Sequence, residues 1–195
     1  LFIHIANFFS KNVAYKILKR FLNLAQTQTF LQSLFEGAFK ITSSSIYNDS
    51  IYAIGFFQDS VDIDPDTTRF MKYFTRTNAG GGTMFYVILD KNGNFISGNA
   101  ITSPQVGTYL DRGRMKVGSK GSMHIVGIFS GSVDFDSHPP NSSLISSNAT
   151  LCGTDYFYLK LKPNLDFDYV RNWPNFSSCG GSPTLFTKTM ECIGV

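Results

Sequence analysis

The pattern G-x-F-x-x-S-V-D-[IF]-D occurs twice, at Gly55 to Asp64 and at Gly127 to Asp136, and it constrains this chain more than any other feature. The copies lie 127 − 55 = 72 residues apart, and the same offset carries Asp64 onto Asp136, Phe85 onto Phe157 and Phe95 onto Phe167. A period held without a gap over that span marks a supersecondary unit that cannot bury its own apolar face and must stack on a neighbour. Each unit is expected to contain about four antiparallel strands, the construction of a β-propeller blade. The period exceeds the roughly 40–50 residues of familiar blade families. The excess is assigned to the polar connections at 66–82 and 137–150, which would project from the rim.

The expected fold is therefore all-β, a repeat architecture forming part of a β-propeller. Residues 45–116 read as the first complete repeat, 117–188 as the second and 189–195 as the start of another. Fewer than three units fit in 195 residues, whereas closing a propeller takes about four to eight blades. The chain is accordingly expected to be a piece of a ring.

Composition agrees with strands and turns. Charged residues make up only 16% of the chain, below the usual quarter, while Gly, Ser, Thr, Asn, Tyr and Phe are plentiful. Hydrophobic residues at 43% and aromatics at 15% supply a core and argue against disorder. The net charge of +3 is spread along the chain without a basic run, so no nucleic-acid partner is expected.

Residues 1–44 have two readings. The first 35 residues contain Lys11, Lys16, Lys19 and Arg20, and they resemble a targeting segment or an amphipathic membrane-surface helix in composition. Alternatively they belong to an incomplete N-terminal blade, because Ala14 to Lys19 looks like the later strands at Phe85 to Asp90 and Phe157 to Lys162. Lys16, Lys19 and Arg20 break the only long apolar run, so no membrane span is expected.

Regular strand signals begin near Ser45. Ser50 to Phe57 is an almost continuous apolar run, as expected of a strand buried on both faces. Phe85 to Leu89 is the next long strand. Asp90-Lys91-Asn92-Gly93-Asn94 reads as a tight hairpin turn in which Asn92 and Gly93 supply positive φ angles, and Phe95 to Ala100 returns antiparallel. Ser122 to Phe129 and Phe157 to Lys162 repeat the arrangement. Gly55, Phe57, Val61, Gly127, Phe129 and Val133 are expected to be buried at equivalent places in the two units.

The repeated G-x-F-x-G-S-V-D-F-D, the strand Asp155 to Leu161 and the turn Asp90 to Phe95 resemble the β-propeller repeats of large secreted and surface bacterial proteins. In those repeats a D-A-F-[VL]-x-K strand follows the G-x-F-x-G-x-V-D-F-D strand. The resemblance spans Tyr47 to Trp173. Departures occur at Asp59, where the second copy has Gly131, at Ile88, where it has Lys160, and at Leu165, which replaces the turn glycine Gly93. The resemblance implies a non-catalytic propeller used as a scaffold or binding surface, often outside the cell.

Few residues offer chemistry. Asp62 with Asp64, and Asp134 with Asp136, place carboxylates at i and i+2, on one face of an extended strand. Three roles fit that spacing: capping the turn that follows, holding a hard cation such as Ca²⁺, or forming an acid/base pair. An EF-hand loop starting at Asp62 is excluded, since Thr67 stands at its glycine position and Tyr73 at its glutamate position. His4, His124 and His138 have no ligand spacing, and His124 reads as a structural histidine inside an apolar strand. Tyr73, Tyr109, Tyr169 and Trp173 are either strand packing or platforms for sugar rings.

Cys152, Cys179 and Cys192 lack zinc-site spacing, and Cys179 with Cys192 is the expected disulfide pair. Asn48, Asn141, Asn148 and Asn175 begin glycosylation sequons. Sequons and cysteines together lean toward a secreted or surface location, with an organellar one as the alternative. The expected function is a non-catalytic scaffold or binding module with a protein or carbohydrate ligand and no cofactor beyond Ca²⁺. The alternatives are a carbohydrate-active hydrolase or lyase on a propeller, or a calcium-stabilised adhesion protein.

Overall fold

A computed structural model describes residues 36–65, 73–75, 83–101, 107–136, 138, 140–148 and 153–174. Every element among them is a strand, so the chain is all-β, as its composition predicts. The strands are β1 (Glu36–Tyr47), β2 (Ser50–Asp62), β3 (Tyr73–Thr75), β4 (Thr83–Leu89), β5 (Phe95–Ile101) and β6 (Tyr109–Val117). They continue as β7 (Met123–Ser130), β8 (Ser132–Asp134), β9 (Leu144–Ser146), β10 (Asp155–Leu161) and β11 (Phe167–Pro174).

Two antiparallel sheets carry the repeat. The first runs β1-β2-β4-β5, with β3 pairing the far end of β2, and the second runs β11-β10-β7-β6 beside the small β8-β9 ladder. Their registers coincide at the 72-residue offset. Gly55 faces Phe85 as Gly127 faces Phe157, and Ile51 faces Leu89 as Met123 faces Leu161. Even the irregularity recurs, between Ile88 and Leu89 in one sheet and between Lys160 and Leu161 in the other. The polar connections each bring a short strand back, β3 onto β2 and β9 onto β8.

The sheets divide the chain one strand earlier than the sequence boundaries at residues 45 and 117. The first sheet opens at Glu36 and the second at Tyr109. Both opening strands are edge strands, rich in Ser, Thr, Arg and Lys, so they lack the apolar run that marks the central strands.

The turn at Asp90 to Asn94 also differs in detail from expectation. The Gly93 N–H donates to the Asp90 carbonyl and the Asp90 N–H donates to the Asn94 carbonyl, leaving a three-residue loop in which Gly93 has φ 82° but Asn92 is not left-handed. The two-residue turn with both central residues left-handed lies instead between β1 and β2, at Asn48 (φ 46°) and Asp49 (φ 59°). In the second sheet the corresponding loop has one more residue, closing with the Gly118 N–H on the Ser122 carbonyl. That extra residue slides β6 by one position relative to β1.

Side-chain alternation decides how the sheets meet. Tyr52, Ile54, Phe56, Met84, Tyr86, Ile88 and Ile101 from one face of the first sheet join Met123, Ile125, Phe129, Phe157, Leu159 and Leu161 from the second in a single core. At the 72-residue offset the second set matches Ile51, Ala53, Phe57, Phe85, Val87 and Leu89, which form a separate cluster on the first sheet's other face. The contact is therefore head-to-tail, one face of the first unit against the opposite face of the second. β1 and β6 touch along this junction: Ser43 Oγ and the Met115 N–H lie 3.1 Å apart, and the Tyr47 hydroxyl donates to the Ser119 carbonyl at 2.5 Å.

Gly55, Phe57, Val61, Gly127, Phe129 and Val133 are all buried. The glycines have a steric reason. A Cβ at Gly127 would stand 2.5 Å from Phe157 Cε1, and one at Gly55 would stand 2.6 Å from Phe85 Cε1. In each sheet a phenylalanine ring covers the bare backbone of the strand beside it.

Candidate functional site

The aspartates sit where β2 and β8 leave their sheets. Asp62 Oδ1 accepts the Asp64 N–H at 2.9 Å, and Asp134 Oδ1 accepts the Asp136 N–H at 3.1 Å, the same turn closed at the same place in both units. Asp134 takes more, with its Oδ1 accepting the Ser143 N–H at 2.7 Å and its Oδ2 accepting the Ser142 hydroxyl at 2.7 Å. Asp136 Oδ1 accepts the His138 N–H at 3.1 Å. The carboxylates thus organise the chain leaving each sheet. Among the described residues no group of three or more His, Cys, Asp or Glu side chains is placed to hold a metal ion.

The other sequence candidates separate. Asn48, Asn141 and Asn148 are exposed, Asn48 on the tip of the β1-β2 turn. Asn175, the cysteines Cys152, Cys179 and Cys192, the triglycine at Gly80, and residues 1–35 and 189–195 lie outside the described residues.

Tyr109, Tyr169 and Trp173 are brought to one face, the outer face of the second sheet; the Tyr73 side chain lies outside the described residues. Tyr109 and Trp173 pack against a cluster of Val126, Ile128, Tyr156 and Tyr158, and Trp173 stacks on Tyr156 with ring centres 6.2 Å apart. At the repeat offset Val126, Ile128, Tyr156 and Tyr158 match Ile54, Phe56, Met84 and Tyr86, the residues that the second unit covers on the first.

This outer face carries polar groups that the first unit's equivalent lacks. His124 stands in place of Tyr52 and Lys160 in place of Ile88. The His124 ring bonds Ser122 Oγ at 2.9 Å and the Tyr158 hydroxyl at 2.6 Å, a satisfied buried histidine. Burial, assisted by the nearby Lys160 ammonium, pushes its pKa below the ordinary histidine range. Burial likewise pushes the Tyr158 phenol well above its usual value, with the Tyr169 hydroxyl adding to the shift. Tyr109, half-buried and bonded to Asp111 at 2.5 Å, is pushed up to about 12, first by desolvation and then by that carboxylate. Lys160 pairs with Asp168 at 2.9 Å and lies 5.5 Å from the Tyr169 ring centre. The buried groups of this face are held together by internal hydrogen bonds and stacking.

One residue escaped sequence reasoning. Asp155, the first residue of β10, is 1% exposed, and its Oδ1 has no hydrogen-bond partner among the described residues. A carboxylate opening an apolar strand carries no local mark of burial, because Asn148 and Asn172, which meet its other oxygen, are distant in sequence.

Compared with known proteins, the chain matches no protein-family model, no curated protein and no solved structure at a significant level.

Proposed function

We propose that this chain is part of a propeller-type, non-catalytic scaffold or binding module belonging to a larger secreted or surface protein. The observation that carries the reading is the head-to-tail contact between the sheets. A symmetric sandwich would bring equivalent faces together and end the assembly. Here opposite faces meet, so the same operation applied again would set another unit against the side of the sheet that carries Tyr156, Tyr158, Val126 and Ile128, residues already buried within this chain. The proximity of β1 to β6 agrees with a ring in which the first strand of every blade lies nearest the axis.

The aspartates favour scaffold over enzyme, since Asp62, Asp134 and Asp136 accept backbone N–H groups of their own turns. Protein or carbohydrate ligands would then be carried on edges and connections, with the flat faces spent on stacking. The structure of the full-length protein, determined by electron cryomicroscopy, tests the proposal. Four to eight sheets repeating this face-to-opposite-face contact around an axis would support it. A closed barrel, or two sheets standing alone with the outer face of β7 and β10 open to solvent, would overturn it.

A further inference from the structure

Asp155 is a buried carboxylate with no cationic partner among the described residues. Its Oδ2 accepts the Asn148 N–H at 3.0 Å and the Asn172 side-chain amide at 3.3 Å, both neutral donors. Its Oδ1 has no partner among the described residues. On β11 the residue opposite is Pro174, which has no N–H to offer. The ion pairs among the described residues, His138 with Asp136 and Lys160 with Asp168, both lie elsewhere. A full negative charge removed from water with one oxygen unmet is strongly disfavoured unless something compensates it. At the same place in the first unit stands Thr83, also buried but uncharged, so the repeat does not require a carboxylate there.

Two segments meet Asp155 Oδ2, the exit of β9 at Asn148 and Asn172 of β11, and the chain neighbours Ser147 and Gly153 bring a hydroxyl and a carbonyl oxygen to the same end of the sheet. Ser147 Oγ lies 3.4 Å from the Gly153 carbonyl oxygen, and Ser147 is fixed by a 2.9 Å bond from the Gly131 N–H. Gly153 has φ 68°, and a Cβ there would meet nothing within 4 Å, so the backbone two residues before Asp155 is not crowded. One carboxylate together with a hydroxyl and a carbonyl oxygen is a donor set for a hard cation and a poor one for zinc or copper.

We propose that Asp155 anchors a Ca²⁺-class cation site at the end of the second sheet, where Oδ1 binds the ion and the Gly153 carbonyl, Ser147 hydroxyl and water complete its shell. Bound there, the ion ties the β9 exit to β10 and β11. With a single formal charge among its ligands the site belongs at the weak end of calcium affinity, a dissociation constant on the order of 10⁻⁴–10⁻³ M.

Terbium is the probe, because Trp173 is the single tryptophan of the chain and stands opposite Tyr156, the neighbour of Asp155. Exciting Trp173 should sensitise Tb³⁺ emission that Ca²⁺ competes away, and Asp155→Asn should weaken Tb³⁺ binding at least tenfold. Asp134→Asn and Asp136→Asn, at the carboxylates that cap turns, should leave the signal in place. Ca²⁺ should also raise the unfolding midpoint of the wild-type protein and leave that of Asp155→Asn unmoved. Emission that survives in Asp155→Asn, or that Ca²⁺ does not displace, overturns the proposal. If Asp155→Asn does not fold, the wild type decides: a midpoint insensitive to Ca²⁺ and to chelator assigns Oδ1 to a bound water and overturns the cation site.

Discussion

Asp62 and Asp134 occupy the same place in the repeat and are met unequally by the described residues. The Asp134 carboxylate receives two backbone N–H groups and one hydroxyl, whereas Asp62 receives one N–H among the described residues. Replacing Asp134 with Ala should cost about 1–2 kcal/mol and Asp62 with Ala about 0.5–1 kcal/mol, within the range of lost caps. Urea unfolding measures both, and equal losses would contradict the geometry. Titration supplies a second test at this scale. Burial lowers the His124 pKa in the folded state, so the folded protein binds its proton less readily than the unfolded chain. Stability from this residue is complete above the unfolded value of about 6.5 and is lost as pH falls through the folded pKa. The urea midpoint should therefore drop on acidification below pH 6.5, and His124→Gln should flatten that part of the profile. Asp90 acts in a lower window. Burial pushes its carboxyl up, but hydrogen bonds from Asn94, Asn92 and Gly93 outweigh burial and hold it below the usual range. Its contribution is present above about pH 4 and fades as pH falls through the lowered pKa.

At the scale of elements, the turns and the glycines beneath the rings fix the register. Gly127→Ala should cost roughly 1–3 kcal/mol, because the new methyl must displace the Phe157 ring from a core where it is fully buried. Combining it with Phe157→Leu should recover part of that loss, and strict additivity of the two changes in thermal unfolding would contradict the contact. The central strands were legible in the sequence because they are buried on both faces and read as unbroken apolar runs. The edge strand β1 was not, since Ser43, Ser44 and Ser45 interrupt any apolar pattern and its place is set by pairing with β2. Leu165 shows the limit of turn rules. It replaces the glycine of the first unit yet keeps the left-handed conformation, with φ 67°, because its side chain is 2% exposed in the inter-sheet core.

Across the whole molecule, the two sheets share one core and should behave as one cooperative unit. Phe157, wholly buried, packs on Phe129 and Phe135 in the cluster that also holds Tyr86 and Ile54 of the first sheet. Phe157→Ala should cost about 3–5 kcal/mol and lower the unfolding of both sheets together. Hydrogen exchange can follow amides in β2 and β7 separately, and loss of protection confined to β7 would show that the sheets unfold independently.

The sequence by itself determined the all-β class, the 72-residue unit, the central strands and the positions that the core needs, because a repeat and an apolar run are properties of local order. It also named the aspartates at the strand ends, with a turn cap as the favoured role, although spacing at i and i+2 also fits a cation or a catalytic pair. Only the tertiary structure decided among partners. It showed Asp134 bonded to Ser142 and Ser143, set opposite faces of the sheets against each other, gathered Tyr109, Tyr156, Tyr158 and Trp173 on one surface, and buried Asp155 beside Asn148 and Asn172. Each of these is a contact between residues set apart along the chain, and such contacts exist only once strand pairing and sheet stacking have fixed which side chains face one another.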